Sequence, residues 1–492
     1  MCRLKNGGNM RFISTRGGEK VSAAEAVIKG VAANGGLFVP EKFPVISDAE
    51  FDAMLEMSYP ERVTLILKKF FTEYDGEELS RAVEKAYSGF GADPAPVVHA
   101  DDGVYILELF HGPTCSSKDM AVAALPYLLE KSLALCGKSG TVNIVTATSG
   151  DTGKAVLELF KDRDGYRVLA LYPADGLSKM QKLQIVTQEG GNVAVLGVKG
   201  SFDDCRNAVK NSLSNGCVTA NSFNFACVAP RIAYYFSAYL DMLSSEQIEN
   251  GELIDFYVPC GNFGNAVACY YAKLMGLPVR RIHCAVNENN GLCSFFGKGV
   301  LDVNRELVKT TSPNMDVLIP SDLERLIFEI SGRDAKLTAK RMASLDSDGR
   351  YSLTEAELAK LNETFDCGFA NEETCVEAMY DVFIDIGYVL DTNAGCAMKV
   401  VHDWYEKNKK DETKAVIIAA DSPYKFPQDV LYAMTGNDVK DSFKGVKRLH
   451  DATAMVVPKC IKELRDKPVI FTRTADRRKL AEEIAQFIKP DI

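Results

Sequence analysis

Residues 141–172 read TVNIVTATSGDTGKAVLELFKDRDGYRVLALY, and the order of elements in that stretch decides the fold. Thr141–Ala147 is an apolar, β-branched run of strand length, followed by a turn rich in hydroxyls and glycine. Residues 152–160 carry apolar side chains at helical spacing, and 167–172 return to a strand. A strand, one helix and a second strand imply a parallel βαβ unit. The alternation continues outward, with strand 104–110 and helix 118–135 before it and helix 178–188 and strand 193–198 after it. The runs 255–259 and 415–420 are nearly continuous apolar strands, as a sheet covered on both faces requires. A doubly wound α/β body is predicted over residues 96–450.

That body has flanking material. Ser22 and Glu25 form a capping box that opens a helix to Ala33, Leu37–Pro40 is a short buried strand, and helical patterns cover 48–57, 60–71 and 77–88. Residues 1–95 therefore read as a mostly helical N-terminal domain, closed by the Gly- and Pro-punctuated stretch 89–96. Residues 335–390 are richer in charge and read as a mostly helical insertion, and 451–492 as a charged helical tail. Within the insertion, 344–355 matches a calcium-binding EF-hand loop at six positions, but Ser344 stands where the first strong oxygen ligand belongs. A turn at Asp348-Gly349, a short strand over 351–353 and a Thr354/Glu357 capping box account for the same residues.

Composition narrows the function. At roughly 150 residues per domain, 492 residues make about three folding units. Hydrophobic residues at 47% and charged residues at 25% describe a folded globular chain, and a net charge of −10 argues against a nucleic-acid surface. The 14 cysteines contain no CxxC pair and there are only five histidines, so no metal site is expected and reduced thiols in a cytoplasmic setting are. No apolar run approaches the length of a membrane span. The first ten residues carry no leader pattern, and Met10 is an alternative start to Met1.

Three loops, each leaving a strand and opening a helix, lie at the crevice position where α/β proteins bind ligands. In Glu108–Asp119 (ELFHGPTCSSKD), Lys118 sits at the positive end of a helix, where an amine is pushed toward its neutral form; it is either a solvated first-turn residue or an amine suited to imine chemistry. In TATSGDTGK, Ser149, Gly150, Asp151 and Thr152 form a turn able to hold a carboxylate or phosphate, without P-loop spacing. In PCGNFGN, Gly261, Asn262, Phe263, Gly264 and Asn265 make an anion cradle lacking the dinucleotide fingerprint. An imine-forming lysine, a carboxylate site and a phosphate cradle together are what pyridoxal phosphate needs.

In these motifs the chain resembles the threonine synthases with an N-terminal domain, within the fold-type-II pyridoxal-phosphate enzymes. The resemblance runs from about Met10 to about residue 450: Ser14-Thr-Arg16-Gly, Gly35-Gly36-Leu-Phe-Val-Pro40, ELFHGPT with Lys118-Asp119, TATSGDTG, Asn221-Ser222-Phe-Asn224, GNFGN, Ser312-Pro-Asn314 and Pro423-Tyr-Lys425-Phe-Pro427. It implies a fold of two doubly wound lobes and a pyridoxal 5'-phosphate cofactor. Lys118 would be the lysine that anchors the cofactor and shuttles protons between substrate carbons. Gly261–Asn265 would hold the cofactor phosphate; Ser149, Gly150, Asp151 and Thr152 the substrate carboxylate and the cofactor's phenolic edge; Asn221, Ser222 and Asn224 the substrate phosphate. The implied reaction converts O-phospho-L-homoserine and water to L-threonine and phosphate, in a monomer or homodimer.

Four positions depart from the family pattern. Ser117 replaces a phenylalanine, Cys227 a phosphate-binding arginine, Asn393 a histidine, and Ala420 a threonine that would bond the pyridine nitrogen. Arg231 lies one helical turn beyond Cys227 as a substitute cation, and Asp421 or Ser422 as a substitute for the ring contact. Two further readings follow: a phospholyase or dehydratase releasing a 2-oxo acid, and a cofactor-binding protein with little catalysis.

Overall fold

The computed structural model describes residues 9–488; the readings of residues 1–8, including the alternative start at Met1, fall outside them. The N-terminal domain begins with a three-stranded antiparallel sheet, β2-β1-β3, formed by β1 (Arg11–Ser14), β2 (Lys20–Ser22) and β3 (Phe38–Pro40). Strands β1 and β2 mix exposed and buried positions over four and three residues, whereas β3 is continuously buried and apolar, so only β3 is marked in the sequence. The Ser22 capping box forms as the spacing requires, with Ser22 Oγ accepting from Glu25 N–H and the Glu25 carboxylate accepting from Ser22 N–H.

Two open sheets follow. The larger runs β13-β10-β9-β14-β5-β4, from β4 (Val97–Asp101), β5 (Val104–Glu108), β9 (Ile254–Pro259), β10 (Val279–Val286), β13 (Phe365–Phe369) and β14 (Ala415–Ala419). It is parallel except for β4, which pairs antiparallel with β5 at the edge. The smaller runs β15-β8-β7-β6, all parallel, from β6 (Val142–Ala147), β7 (Tyr166–Pro173), β8 (Val193–Lys199) and β15 (Thr474–Asp476). Consecutive strand patterns along the chain thus belong to two sheets: β5 lies in one and β6 opens the other. The stretch read as one helix over 118–135 is two, Ser117–Val122 and Leu125–Leu135, with Pro126 in the first turn of the second.

The segment read as a helical insertion also supplies β13, the edge strand of the larger sheet, and β12 (Arg350–Ser352), which pairs with β11 (Val300–Asp302) from the chain before it. The tail likewise supplies β15. The EF-hand-like residues Ser344–Asp348 form the last turn of helix Ala335–Asp348, ended by Gly349 in the left-handed region, so no calcium loop is present. Among the described residues no group of acidic, His and Cys side chains is arranged to hold a metal. None of the described helices is long and apolar enough to cross a membrane.

Candidate active site

The carboxyl ends of β5, β6, β9 and β14 converge between the lobes, and the three loops read from the sequence meet there. The first is tied into place by its own side chains. Thr114 donates its N–H and Oγ1–H to Asp119, at 2.8 and 2.7 Å, and Ser116 caps the short helix that begins at Ser117. The segment after β14 lies alongside it: Ser117 N–H donates to Ala420 O at 2.7 Å and Ser422 N–H to Cys115 O at 3.1 Å. Lys118 and Asp421 are thereby brought to one side of the cleft.

Lys118 Nζ makes no hydrogen bond or ion pair among the described residues. Burial, and then the Arg231 guanidinium, brings its amine down to about 8, against the pull of Asp421 and Asp151. A second lysine that the sequence reading did not assign, Lys425, is fully buried and hydrogen-bonds Asp151, with Asp421 at 3.6 Å. Burial works against its charge, but the two carboxylates more than offset this and hold the ammonium above its ordinary value. Asn314 donates to both carboxylates, at 2.7 Å to Asp151 and 2.8 Å to Asp421, and Gln181 donates to Asp151 at 2.8 Å. Burial and then Asp151 raise the Asp421 carboxyl.

The second loop opens helix Asp151–Phe160. Gly150 has φ 127°, a conformation open mainly to glycine, and a Cβ there would lie 3.0 Å from Gln181. The partly exposed hydroxyls of Ser149 and Thr152 make no hydrogen bond among the described residues. They are free to receive a ligand.

The third loop opens helix Gly264–Leu274, with Phe263 left-handed at φ 71°. Gly261 passes so close to the 312–316 loop that a Cβ would stand 2.2 Å from Asn314 O. Asn262 donates to Ser222 Oγ at 3.1 Å and accepts from Gly264 N–H at 3.0 Å. Arg231 donates to Asn265 Oδ1 at 2.6 Å, beside the helix N-terminus. The cation proposed as a stand-in for Cys227 thus lies against the phosphate cradle, while Cys227 itself points at Ala220 O in the core, at 3.4 Å.

The Asn221–Asn224 loop divides. Ser222 faces the cradle and hydrogen-bonds the fully buried Asp322, which pairs with the equally buried Arg325. Arg325 in turn donates to the carbonyls of Ser222 and Phe223, both at 2.8 Å, and so fixes the loop. Asn221 instead bonds both backbone groups of Ala147, at 2.7 and 2.9 Å, and Asn224 reaches Val27 O of the N-terminal domain at 2.8 Å. Their side chains are committed to the scaffold. Neither Asp322 nor Arg325 carries a sequence signal for the site, because the loop residues they hold, Ser222 and Phe223, lie about 100 residues away along the chain.

Asp391 Oδ1 caps helix Thr392–Lys407. Its other oxygen and Asn393 Oδ1 are buried without a hydrogen bond, as is Ser117 Oγ. Burial, and then Asp421, raises Asp391 to about 7. Buried polar atoms left over around a cleft are what a missing polar ligand leaves behind. A half-buried amine with no hydrogen bond among the described residues, a glycine-lined helix N-terminus with a guanidinium, and a carboxylate whose charge acts on the lysine fit a phosphorylated pyridine aldehyde.

Comparison with known proteins agrees. A family model described as pyridoxal-phosphate dependent enzyme matches residues 92–421, and one described as threonine synthase N terminus matches 11–87. The chain is 32% identical to threonine synthase of Methylobacillus glycogenes over 447 residues, 86% of this chain and 92% of that one. The chain belongs to the threonine synthase family of pyridoxal-phosphate dependent enzymes. It is also 34% identical to threonine synthase-like 1 of Homo sapiens over 485 residues, 90% of this chain, but spans only 64% of that relative's length. Among solved structures it is similar to pyridoxal-phosphate-bound threonine synthase from Brucella melitensis, with TM-score 0.84, 30% identity, and coverage of 98% of this chain and 100% of that one. Yeast threonine synthase superposes with the same TM-score at 26% identity, covering 97% and 98%. The fold is thus of type II, and the cofactor is pyridoxal 5'-phosphate.

Proposed function

We propose that this chain is a pyridoxal-phosphate-dependent lyase that converts O-phospho-L-homoserine and water to L-threonine and phosphate. The observation that carries the reading is the Lys118 amine, half-buried, without a hydrogen bond or ion pair among the described residues, and brought down to about 8 by desolvation and by Arg231, which itself bonds Asn265 of the cradle. When bound, pyridoxal phosphate supplies the electron-withdrawing ring that makes carbon-bound protons acidic.

The remaining work belongs to the chain. With its amine near 8, Lys118 is partly neutral close to physiological pH and can accept a proton from one substrate carbon and return it to the next. Gly261–Asn265 and Arg231 would hold the cofactor phosphate, and Ser149, Gly150 and Thr152 the substrate carboxylate. Asp421 is the carboxylate available to the ring nitrogen in place of the threonine that Ala420 replaces. Lys425, Asn314 and Gln181 hold Asp151 and Asp421 in position. Of the Asn221–Asn224 loop, Ser222 remains on the cradle side for the substrate phosphate.

A second reading, elimination to a 2-oxo acid, is favoured by the loop 221–227. With Asn221 and Asn224 committed to backbone and Cys227 in the core, the leaving-group side holds fewer donors than the motif suggests. One assay separates the two: cofactor-loaded protein is given O-phospho-L-homoserine, and phosphate, threonine and 2-oxobutyrate are measured together. Threonine equal to phosphate, abolished in Lys118→Ala, supports the first reading. Phosphate with 2-oxobutyrate supports the second, and no turnover by either route refutes both.

A further inference from the structure

Against the loop that carries Lys118 lies a cavity of about 810 Å³ whose wall contains Cys115, Cys460, Lys154 and Lys459. The two sulfurs are 2.9 Å apart, although 345 residues separate them in sequence. Cys115 has a positive φ of 60°, rare for a side chain with a Cβ, at the point where the loop turns into the helix that begins at Ser117. Cys460 belongs to the one-turn helix Lys459–Lys462 at the start of the C-terminal segment and is only partly buried. Neither thiol has a part in the reaction proposed above.

We propose that Cys115 and Cys460 are an oxidative modification site, a thiol pair that a peroxide converts to a disulfide tying the C-terminal segment to the Lys118 loop. The contact with Cys115 lowers the Cys460 thiol, outweighing burial, and the ammonium groups of Lys425 and Lys154 act in the same direction. The contact with Cys460, and then burial, raises Cys115. Cys460, the more exposed of the two sulfurs, is the attacking thiolate, and the buried Cys115 is the resolving thiol.

The Cys460 thiolate attacks one peroxide oxygen, the O–O bond breaks, and the second oxygen leaves as hydroxide, giving a sulfenic acid. The Cys115 thiol then displaces the sulfenic hydroxyl, which departs as water, and the S–S bond forms. Two thiols give up two electrons and two protons, and one hydrogen peroxide becomes two waters. No further reductant or oxidant is required.

Bond formation draws the sulfurs from 2.9 Å to about 2.0 Å, a closure of roughly 0.9 Å. Cys115 passes that displacement on directly. Its carbonyl accepts from Ser422 N–H, the next residue bridges Asp421, and Lys118 follows three positions later. Misplacement of a reacting group by about 1 Å costs up to about 100-fold in rate. The disulfide is accordingly expected to slow capture of the cofactor by Lys118 at least about tenfold.

The test uses the full chain, reduced, freed of reductant and exposed to hydrogen peroxide. Remaining thiols are alkylated and the peptides weighed, and in parallel the rate at which added pyridoxal phosphate develops its bound absorption is followed. The expected result is a Cys115–Cys460 cross-linked peptide two hydrogens lighter, formed before any link between the fully buried Cys375 and Cys396, whose sulfurs are 3.5 Å apart. Cofactor capture should slow in step with it and recover on reduction, and both effects should vanish in Cys460→Ser and in Cys115→Ser. Prior oxidation of Cys375–Cys396, over-oxidation of Cys460 without a cross-link, or a cross-linked chain that captures cofactor at the reduced rate would each overturn the proposal. The peptide masses do not depend on which reaction the site performs, so a failure here is distinct from a failure of the proposed function.

Discussion

Replacing Lys425 by methionine tests the electrostatic frame of the site most directly. Methionine keeps most of the side-chain volume and deletes a charge that is fully buried between Asp151 and Asp421. Removing one partner of a buried ion pair costs about 3–5 kcal/mol, because the remaining charge is left without compensation. The deficit should depend on pH, and its sign follows from Asp421. Its carboxyl is already raised by burial and by Asp151, and loss of the nearest cation raises it further. An acid whose folded value exceeds its unfolded value of about 3.9 takes up a proton on folding, so stability falls as pH rises through that window. The deficit of Lys425→Met against the parent should therefore be near the full 3–5 kcal/mol at pH 8 and clearly smaller at pH 5.5. Urea unfolding of the cofactor-free protein at both pH values measures it, followed by fluorescence of the single tryptophan, Trp404, on the helix beneath the larger sheet. Asp151→Asn in the same background should return about 1 kcal/mol or more as a coupling energy. A deficit below about 1 kcal/mol, or one equal at the two pH values, would show that the buried lysine does not balance the two carboxylates.

Three further outcomes are expected. Gly261→Ala places a methyl 2.2 Å from Asn314 O, which must push the cradle away from the 312–316 loop; cofactor affinity, read by absorbance titration, should fall at least about tenfold, and an unchanged affinity would remove this loop from the site. Asp391→Asn keeps the oxygen that caps helix Thr392–Lys407 while removing an acid raised to about 7; the parent should lose stability relative to the variant as pH rises from about 4 to about 7, and parallel pH curves would contradict the assignment. Asn224→Ala strips the hydrogen bond to Val27 O and should cost about 2 kcal/mol and expose the N-terminal domain to protease, with cofactor affinity retained; loss of affinity without loss of stability would return Asn224 to the ligand site.

Much of this architecture is legible in the chain because each βαβ unit writes its own local pattern. The 141–160 stretch becomes β6 and its helix within one or two residues, and the capping boxes at Ser22 and Thr354 form as spaced. Short elements held only by distant partners are not legible: β1 and β2 become strands by pairing with each other and with β3, and β13 by adding to β10 about 80 residues earlier. At the site, motifs identified Lys118 and the cradle, but could not say which side chains face the cleft. Asn221 and Ser222 are neighbours in one motif, yet one is spent on the backbone of β6 and the other turns to the cradle. Lys425 stands inside a recognisable motif, and only tertiary packing puts its ammonium between two carboxylates.

The strand order has a consequence for how the molecule is made. Strand β14 is inserted between β5 and β9 in the middle of the larger sheet, and β15 completes the smaller one beside β8. Both arrive late on the ribosome. When β5 has emerged, its central partner is still roughly 300 residues from synthesis, on the order of 15–60 s at ordinary elongation rates. Through that interval β5, joined about halfway by β9, presents an open hydrogen-bonding edge, which makes the nascent polypeptide a natural client for chaperones.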